Sequence, residues 1–434
     1  VSDSVETVDT TSPEATPVAP AGLRLDSIAF ANFRGFAQLQ VSLDPQVTVV
    51  FGENASGKTN LLSGIARLLA GLFQKAPFNL RSSDAHEAEV FADHIPRRRW
   101  PVVVWATGAL DGQPVSWSRS LPSESSHTSN AEVRELRERF KLLLASDRPW
   151  PVVARYGTER LHDRVRDVKR RRPSLRQRFD GYTDCLDPRS NEQQVLQWLF
   201  EMYLYRLTHQ PSPAYDGVEA LLRALVWRED ESGERIALTT VEMTMPDGYP
   251  LLRFEDGGAL RWEEFSDGYA TFVGMAVDIA RRCWILNGGV LKDPIRETDG
   301  VVLVDELELH LHPRWQARAM EGFLSAFPRV QFVVTTHTPL VLAGVKNHQV
   351  RELREGRLDA SYAHVYGNDP NTTLTETQGA KIRPAWVVTA LEQIADHVHR
   401  RRWDDARSGI EALEKHWGMD HPEIIRLRSW LEPR

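Results

Sequence analysis

The chain has 434 residues, enough for two or three domains of ordinary size, and 41% of them are apolar, which excludes a wholly disordered or collagen-like polypeptide. Acids outnumber bases 60 to 53 for a net charge of −7, so no global basic excess points to nucleic acid. Two cysteines, Cys185 and Cys283, supply neither a disulfide framework nor a CxxC metal cluster, and no apolar run reaches the roughly 18 residues needed to span a bilayer; a cytoplasmic chain with no membrane partner is expected.

Residues 1–22 hold Asp, Glu, Ser, Thr and Pro but no Lys or Arg, and read as a disordered tail rather than a signal peptide. From Leu23 the pattern turns β-like through LRLDSIAF, AQLQVSL and QVTVVF. Leu61, Leu62, Ile65, Leu68, Leu69 and Leu72 then recur at helical spacing. Strands are expected on either side of a turn at Asp111-Gly112, and again around Asp247-Gly248. Between these hairpins, AEVRELRERFKLLL and NEQQVLQWLFEMYLYRL read as helices. After Gly300 the runs VVLVDE and QFVVTTH, separated by a helix near Trp315, predict buried parallel strands joined by a crossover. Trp386, Leu391, Ile394, Trp403, Ile410, Leu413, Trp417 and Leu427 form the apolar framework of a helical C-terminal stretch.

Gly52-Glu53-Asn54-Ala55-Ser56-Gly57-Lys58-Thr59, followed by Asn60, matches GxxxxGK[ST] and lies between a predicted strand and a predicted helix. Small residues there let successive backbone N–H groups point at phosphate oxygens at the positive end of the helix. Lys58 would reach the β- and γ-phosphates, and the Thr59 hydroxyl would bind Mg²⁺. Asp305 and Glu306 end an apolar strand, where Asp305 is placed to hold Mg²⁺ through its water shell and Glu306 to activate the attacking water. Ser266, Asp267 and Gly268 open the helix that precedes this strand; they offer a hydroxyl, a backbone N–H and a helix dipole to a phosphate, or simply an N-cap. His337 ends the following strand, where it can hydrogen-bond a γ-phosphate.

In this order the phosphate loop, FSDGY, VVLVDE and TTHTP resemble the ATP-binding-cassette (ABC) ATPases, with FSDGY a variant of the LSGGQ signature. NFRGF and GENASGKTNLL resemble the RecF and SMC-like branch, and DELELHLHPRWQ with QFVVTTHTPLVLAG is similar to the prokaryotic OLD and Septu-type ATPases, many of them antiphage defence proteins. The resemblance implies an α/β P-loop NTPase of ABC type with a mixed or antiparallel β arm. Its head would span 23–350 with a helical lobe inserted at about 130–230, followed by a C-terminal helical extension at 351–434. It also implies hydrolysis of ATP with Mg²⁺ and a homodimer that sandwiches two nucleotides, in which Ser266 and Gly268 meet the γ-phosphate at the partner's Lys58. Asp267 and Tyr269 depart from the usual signature, and histidines occupy the dimer-contact stretch 308–312. Tyr156-Gly157-Thr158-Glu159-Arg160 fits a Q-loop or a plain strand-end turn equally.

Sustained heptads are absent between Thr59 and Ser266, so no coiled-coil arm is expected. The tail after His337 carries no recognisable nuclease pattern, and an effector such as a nuclease is expected as a separate partner. The run from Arg164 to Arg178 holds eight bases and one acid, which suits DNA phosphates, an acidic partner or a solvated loop. The thirteen tryptophans show no clustering with bases along the chain, so no base-stacking platform is read. The roles this pattern allows are a defence ATPase, a RecF-like repair ATPase, or a scaffold that binds ATP with little turnover.

Overall fold

The computed structural model describes residues 22–73, 99–125, 129, 131–161, 178–189, 192–209, 211–229, 232, 234–245, 248–358 and 384–431. The chain divides into two compact units, 1–367 and 368–434.

In the first unit β1 (Leu23–Phe33), β2 (Phe36–Ser42) and β3 (Val47–Phe51) lead into α1 (Lys58–Phe73). The hairpin β4 (Val102–Leu110) and β5 (Gln113–Leu121) is followed by α2 (Arg134–Leu144) and β6 (Val152–Tyr156). Next come α3 (Glu192–Thr208), α4 (Pro213–Leu225) and the short strands β7 (Trp227–Glu229), β8 (Arg235–Met243), β9 (Pro250–Phe254) and β10 (Ala259–Arg261). The unit closes with α5 (Asp267–Asn287), β11 (Gly300–Val304), α6 (Pro313–Ala326), β12 (Val330–Thr336), β13 (Val350–Arg354) and β14 (Arg357–Leu358).

The main sheet has the order β14-β13-β3-β12-β11-β6, with every pairing parallel except β13 with β14. β3, β6, β11 and β12 are buried along their whole length, as uninterrupted apolar strands of a covered parallel sheet must be. Register aligns Phe51 with Thr336, and Val304 with both Val334 and Tyr156. The segments that leave β3, β6, β11 and β12 therefore emerge together at the carboxyl edge, where open α/β sheets bind ligands.

β2-β1-β4-β5 and β10-β9-β8-β7 are separate antiparallel sheets. The turn expected at Asp111-Gly112 is present, with φ of +57° and +73°, and Leu110 pairs with Gln113 as in a two-residue type I′ hairpin. The second hairpin joins β8 to β9, with Met243 paired to Pro250; Asp247 of its expected turn lies outside the described residues.

α1 is buried on nearly all sides, between two sheets. From β5, Arg119 donates Nη1 to the Arg67 carbonyl at 2.7 Å and Trp117 donates Nε1 to the Leu68 carbonyl at 3.3 Å. From β6, Arg155 donates to the Ser63 hydroxyl at 3.1 Å. α5 is pinned to the main sheet by charge: the buried Asp278 accepts from Tyr156 Oη (2.8 Å), Arg281 (2.9 and 2.6 Å) and Arg282 (2.8 Å).

Two expected boundaries look different in the fold. The stretch at about 130–230 supplies helices α2, α3 and α4, but it also supplies β6, because VVARY is apolar enough to be buried at the end of the main sheet. The sheet likewise continues beyond 350, since β13 pairs in parallel with β3.

In the second unit α7 (Ala385–His399), α8 (Trp403–Trp417) and α9 (Pro422–Ser429) enclose Ile394, Ile410, Leu413, Ile424 and Leu427. Leu391 and Trp417 pack partly against this cluster, whereas Trp386 and Trp403, expected in the same framework, are 51% and 45% exposed. Helical periodicity identifies a face but not how much of that face a neighbour covers.

Candidate nucleotide site

The phosphate loop is the turn between β3 and α1. Gly52 is there because its backbone passes against β13: a Cβ would sit 2.2 Å from the Leu353 carbonyl oxygen. Ser56 is buried and its hydroxyl has no hydrogen-bond partner among the described residues, while Glu53, Asn54 and Ala55 are exposed along the loop. Lys58, 7% exposed, donates Nζ to the carbonyls of Gly52 and Glu53, each at 2.8 Å, so the ammonium sits inside the loop. Burial lowers its pKa; the charges of Glu306, Glu308 and Asp305 act the other way. Thr59 is exposed in the first turn of α1, and Asn60 ties that turn to the segment after β1 through a 2.8 Å bond to the Arg34 carbonyl.

Beyond β11 the acids are held by the neighbouring strands. Asp305 is buried; its backbone N–H donates to the Tyr156 carbonyl at 2.8 Å, and its Oδ1 accepts from the Thr335 hydroxyl at 2.5 Å. The same Thr335 oxygen accepts from the Glu306 N–H at 2.8 Å, so one hydroxyl of β12 orients both positions. Glu306 is half-buried with φ of +48°, a strained value for a residue with a Cβ.

Glu308 is 4% exposed, and its Oε1 accepts from His337 twice, from the backbone N–H at 2.7 Å and from ring Nδ1 at 2.9 Å. Its Oε2 is buried without a hydrogen-bond partner among the described residues. Arg160, 4% exposed, donates to the carbonyls of Gly157 (2.8 Å), Asp305 (2.6 Å) and Glu306 (2.6 Å). Burial lowers its pKa to about 10 despite the nearby Asp305, Glu308 and Glu306, and it remains a cation at neutral pH.

The fold thus brings together Lys58, Asp305, Glu306, Glu308 and His337, and adds Thr335 and Arg160, the latter from the stretch that fits a Q-loop or a strand-end turn. The signature turn stands beside this group. Ser266 occupies the N-cap position of α5 without a side-chain capping bond and, with Asp267, is exposed. Gly268 is buried: a Cβ there would lie 2.1 Å from the His310 carbonyl oxygen and 2.8 Å from the Leu311 nitrogen. The turn after Glu306 therefore packs backbone to backbone on the start of α5. Tyr269 lies in an aromatic cluster, 4.8 Å from the Phe265 ring and 4.4 Å from that of Trp315.

A phosphate loop at the carboxyl edge of a parallel sheet, a histidine at the end of the adjoining strand and two acids one strand further define an ATPase of ABC type in the RecF/SMC-like branch. A family model described as "AAA domain, putative AbiEii toxin, Type IV TA system" matches residues 47–343, and the chain belongs to that family. It is 23% identical over 458 residues to the "Retron Vc95 probable ATPase" of Vibrio cholerae serotype O1 biovar El Tor, covering 92% of this chain and 88% of the relative. A shorter stretch of 102 residues is 39% identical to the Septu protein PtuA of Bacillus mycoides, over 23% of this chain and 13% of that protein. Among solved structures, an SMC head bound to the C-terminal winged-helix domain of ScpA aligns with a TM-score of 0.45 at 14% identity, over 77% of this chain and 96% of that one. No helix of the described residues is long and apolar enough to cross a membrane.

Proposed function

We propose that this cytoplasmic ATPase hydrolyses ATP at a composite site between two copies of the chain, and that it serves an antiphage defence system by controlling a partner effector such as a nuclease. The observation that carries the site reading is the convergence of Lys58, Asp305, Glu306 and His337 at one sheet edge. In it, Lys58 leaves the Gly52 and Glu53 carbonyls for the β- and γ-phosphates, and backbone N–H groups of Gly52 to Thr59 line the phosphates. Glu306 orients the attacking water. His337 meets the γ-phosphate through Nε2, because Glu308 engages Nδ1; donating from both nitrogens requires the doubly protonated ring.

The donor set fits Mg²⁺. A carboxylate from Asp305 and a hydroxyl from Thr59, with phosphate and water oxygens completing the shell, suit an ion that keeps several waters. Among the described residues no group of three or more His, Cys, Asp or Glu side chains forms an all-protein metal cage, as such a shared shell allows. When bound, the ion would neutralise charge building on the phosphates. In the dimer, Ser266 and Gly268 of one copy face the nucleotide held by the other.

The defence reading rests on the retron and Septu names of the relatives, and on the family's description as a toxin-system domain. A DNA contact through Arg164 to Arg178 belongs to the same proposal, although 164–177 lies outside the described residues. The test is phosphate release together with light scattering. Lys58→Ala should abolish turnover, and Glu306→Gln should abolish turnover yet double the particle mass when ATP is added. A Glu306→Gln protein that stays monomeric with saturating ATP sinks the sandwich.

A further inference from the structure

The fold assembles an aromatic and basic cleft that the linear sequence hides. Trp227 of β7 and Trp315 of α6, 88 residues apart in the chain, meet with ring centroids 4.0 Å apart and an interplanar angle of 41°. They help wall a cavity of about 580 Å³ and share in a second of about 430 Å³. Arg235 and Arg318 lie over the Trp227 ring at 4.6 and 5.4 Å from its centroid. Arg228 and Arg314 complete the first cavity, together with His312.

Four arginines thus converge on two indoles; Arg228 is paired to Asp256, and Glu321 lines the second cavity. Arg235 and Arg318 are exposed, and among the described residues neither has a carboxylate within 4.0 Å. Exposed guanidinium planes beside indole rings extend one surface that is flat, polarizable and cationic. An acidic peptide would use the charge but leave the indoles idle. A nucleobase with its phosphate uses both, since bases stack on aromatic rings and on arginine planes, and phosphate oxygens accept from arginine.

We infer that this cleft binds single-stranded nucleic acid, with one or two bases stacked at Trp227 and Trp315 and adjacent phosphates held by Arg235 and Arg318. The site uses none of the residues of the run at 164–178 and stands whether or not the proposed dimer forms. It is wired to the signature turn, because Trp315 also contacts Tyr269, the third residue of α5.

The probe is a fluorescein-labelled 12-mer of oligothymidylate, followed by fluorescence polarisation with the full-length protein across a salt series. The double variant Arg235→Glu/Arg318→Glu should weaken binding at least tenfold. It should also reduce the slope of log affinity against log salt by about 1.4, two phosphates at roughly 0.7 each. Trp315→Leu should weaken binding about fivefold or more and leave that slope unchanged. Thermal melts of each variant within a few degrees of the parent protein establish that the fold survives. Arg170→Glu/Arg171→Glu/Arg172→Glu should retain the oligonucleotide affinity that the cleft supplies.

Unchanged affinity in the Arg235/Arg318 variant overturns the proposal. So does a loss with the arginine pair but none with Trp315→Leu, which would mark a surface for an acidic protein. Unlabelled AMP that competes as well per molecule as the unlabelled 12-mer would mark a free nucleotide as the ligand and overturn the strand. A 12-base-pair duplex that binds as tightly as the single strand would do the same.

Discussion

Asp278→Asn should destabilise the first unit by about 3–5 kcal/mol, the cost typical of breaking a buried ion cluster by removing one partner. The carboxylate is 5% exposed and accepts four hydrogen bonds, while Arg281 and Arg282 are 1% and 4% exposed. Asparagine keeps the shape but loses the charge, and it turns one acceptor into an NH₂ aimed at donors. Arg282 retains the carbonyls of Gly181 at 2.9 Å and Thr183 at 3.1 Å, which limits the loss for that guanidinium. Against a total of about 5–15 kcal/mol the change is large. With a urea slope near 3 kcal/mol per molar, the midpoint falls by about 1–1.7 M. Hydrogen exchange of the β6 and α5 amides is the suitable readout, since it separates this unit from 368–434. The sign with pH follows from the site. Burial alone would raise the Asp278 pKa, but Arg281 and Arg282 more than offset it and hold the carboxyl well below its usual range. Its stabilisation is therefore present above the ordinary carboxylate pKa and is lost as pH falls toward the depressed one, so the gap between the parent protein and Asp278→Asn narrows in acid. The compensated variant Asp278→Leu/Arg281→Met/Arg282→Met should recover most of the stability. A loss below about 1 kcal/mol at neutral pH, or a gap that stays constant into acid, refutes the cluster as the pin between α5 and the sheet.

Two further substitutions probe the site. Gly268→Ala places a methyl 2.1 Å from the His310 carbonyl oxygen; it should cost about 1–3 kcal/mol and slow phosphate release at least tenfold, so melting and turnover equal to the parent would show that the turn yields freely. Glu308→Ala removes the acceptor of both His337 bonds and should lower kcat by about 10- to 100-fold, or 1.4–2.7 kcal/mol, with KM for ATP within about threefold. Glu308→Gln, which keeps an acceptor oxygen, should recover much of that rate, and wild-type kcat in Glu308→Ala would make the grip on His337 incidental.

The parts of this site that are local in sequence were legible from it. The phosphate loop, the acids after β11 and the histidine after β12 each sit at the end of an apolar strand, where pattern and chemistry coincide. The residues that orient them were not legible, because the partnerships of buried charge are non-local: Arg160 meets the Glu306 carbonyl across 146 positions and Tyr156 meets Asp278 across 122. The strand character of β6 was readable, but its place in the main sheet was not, since a short strand amid helices carries no sign of which sheet will receive it. Trp227 and Trp315 are isolated in the chain and become neighbours only when β7 and α6 pack together.

The absence of a side chain at Gly268 has a consequence for timing. With no Cβ between them, the start of α5 and the turn after Glu306 meet backbone on backbone, so a displacement of one is passed directly to the other. If the proposed dimer forms, that contact would link the turn after Glu306 in one site to the signature turn that faces the other. Hydrolysis in one copy would then alter the grip on the second ATP without any long-range rearrangement. In such a pair the two sites would not act independently.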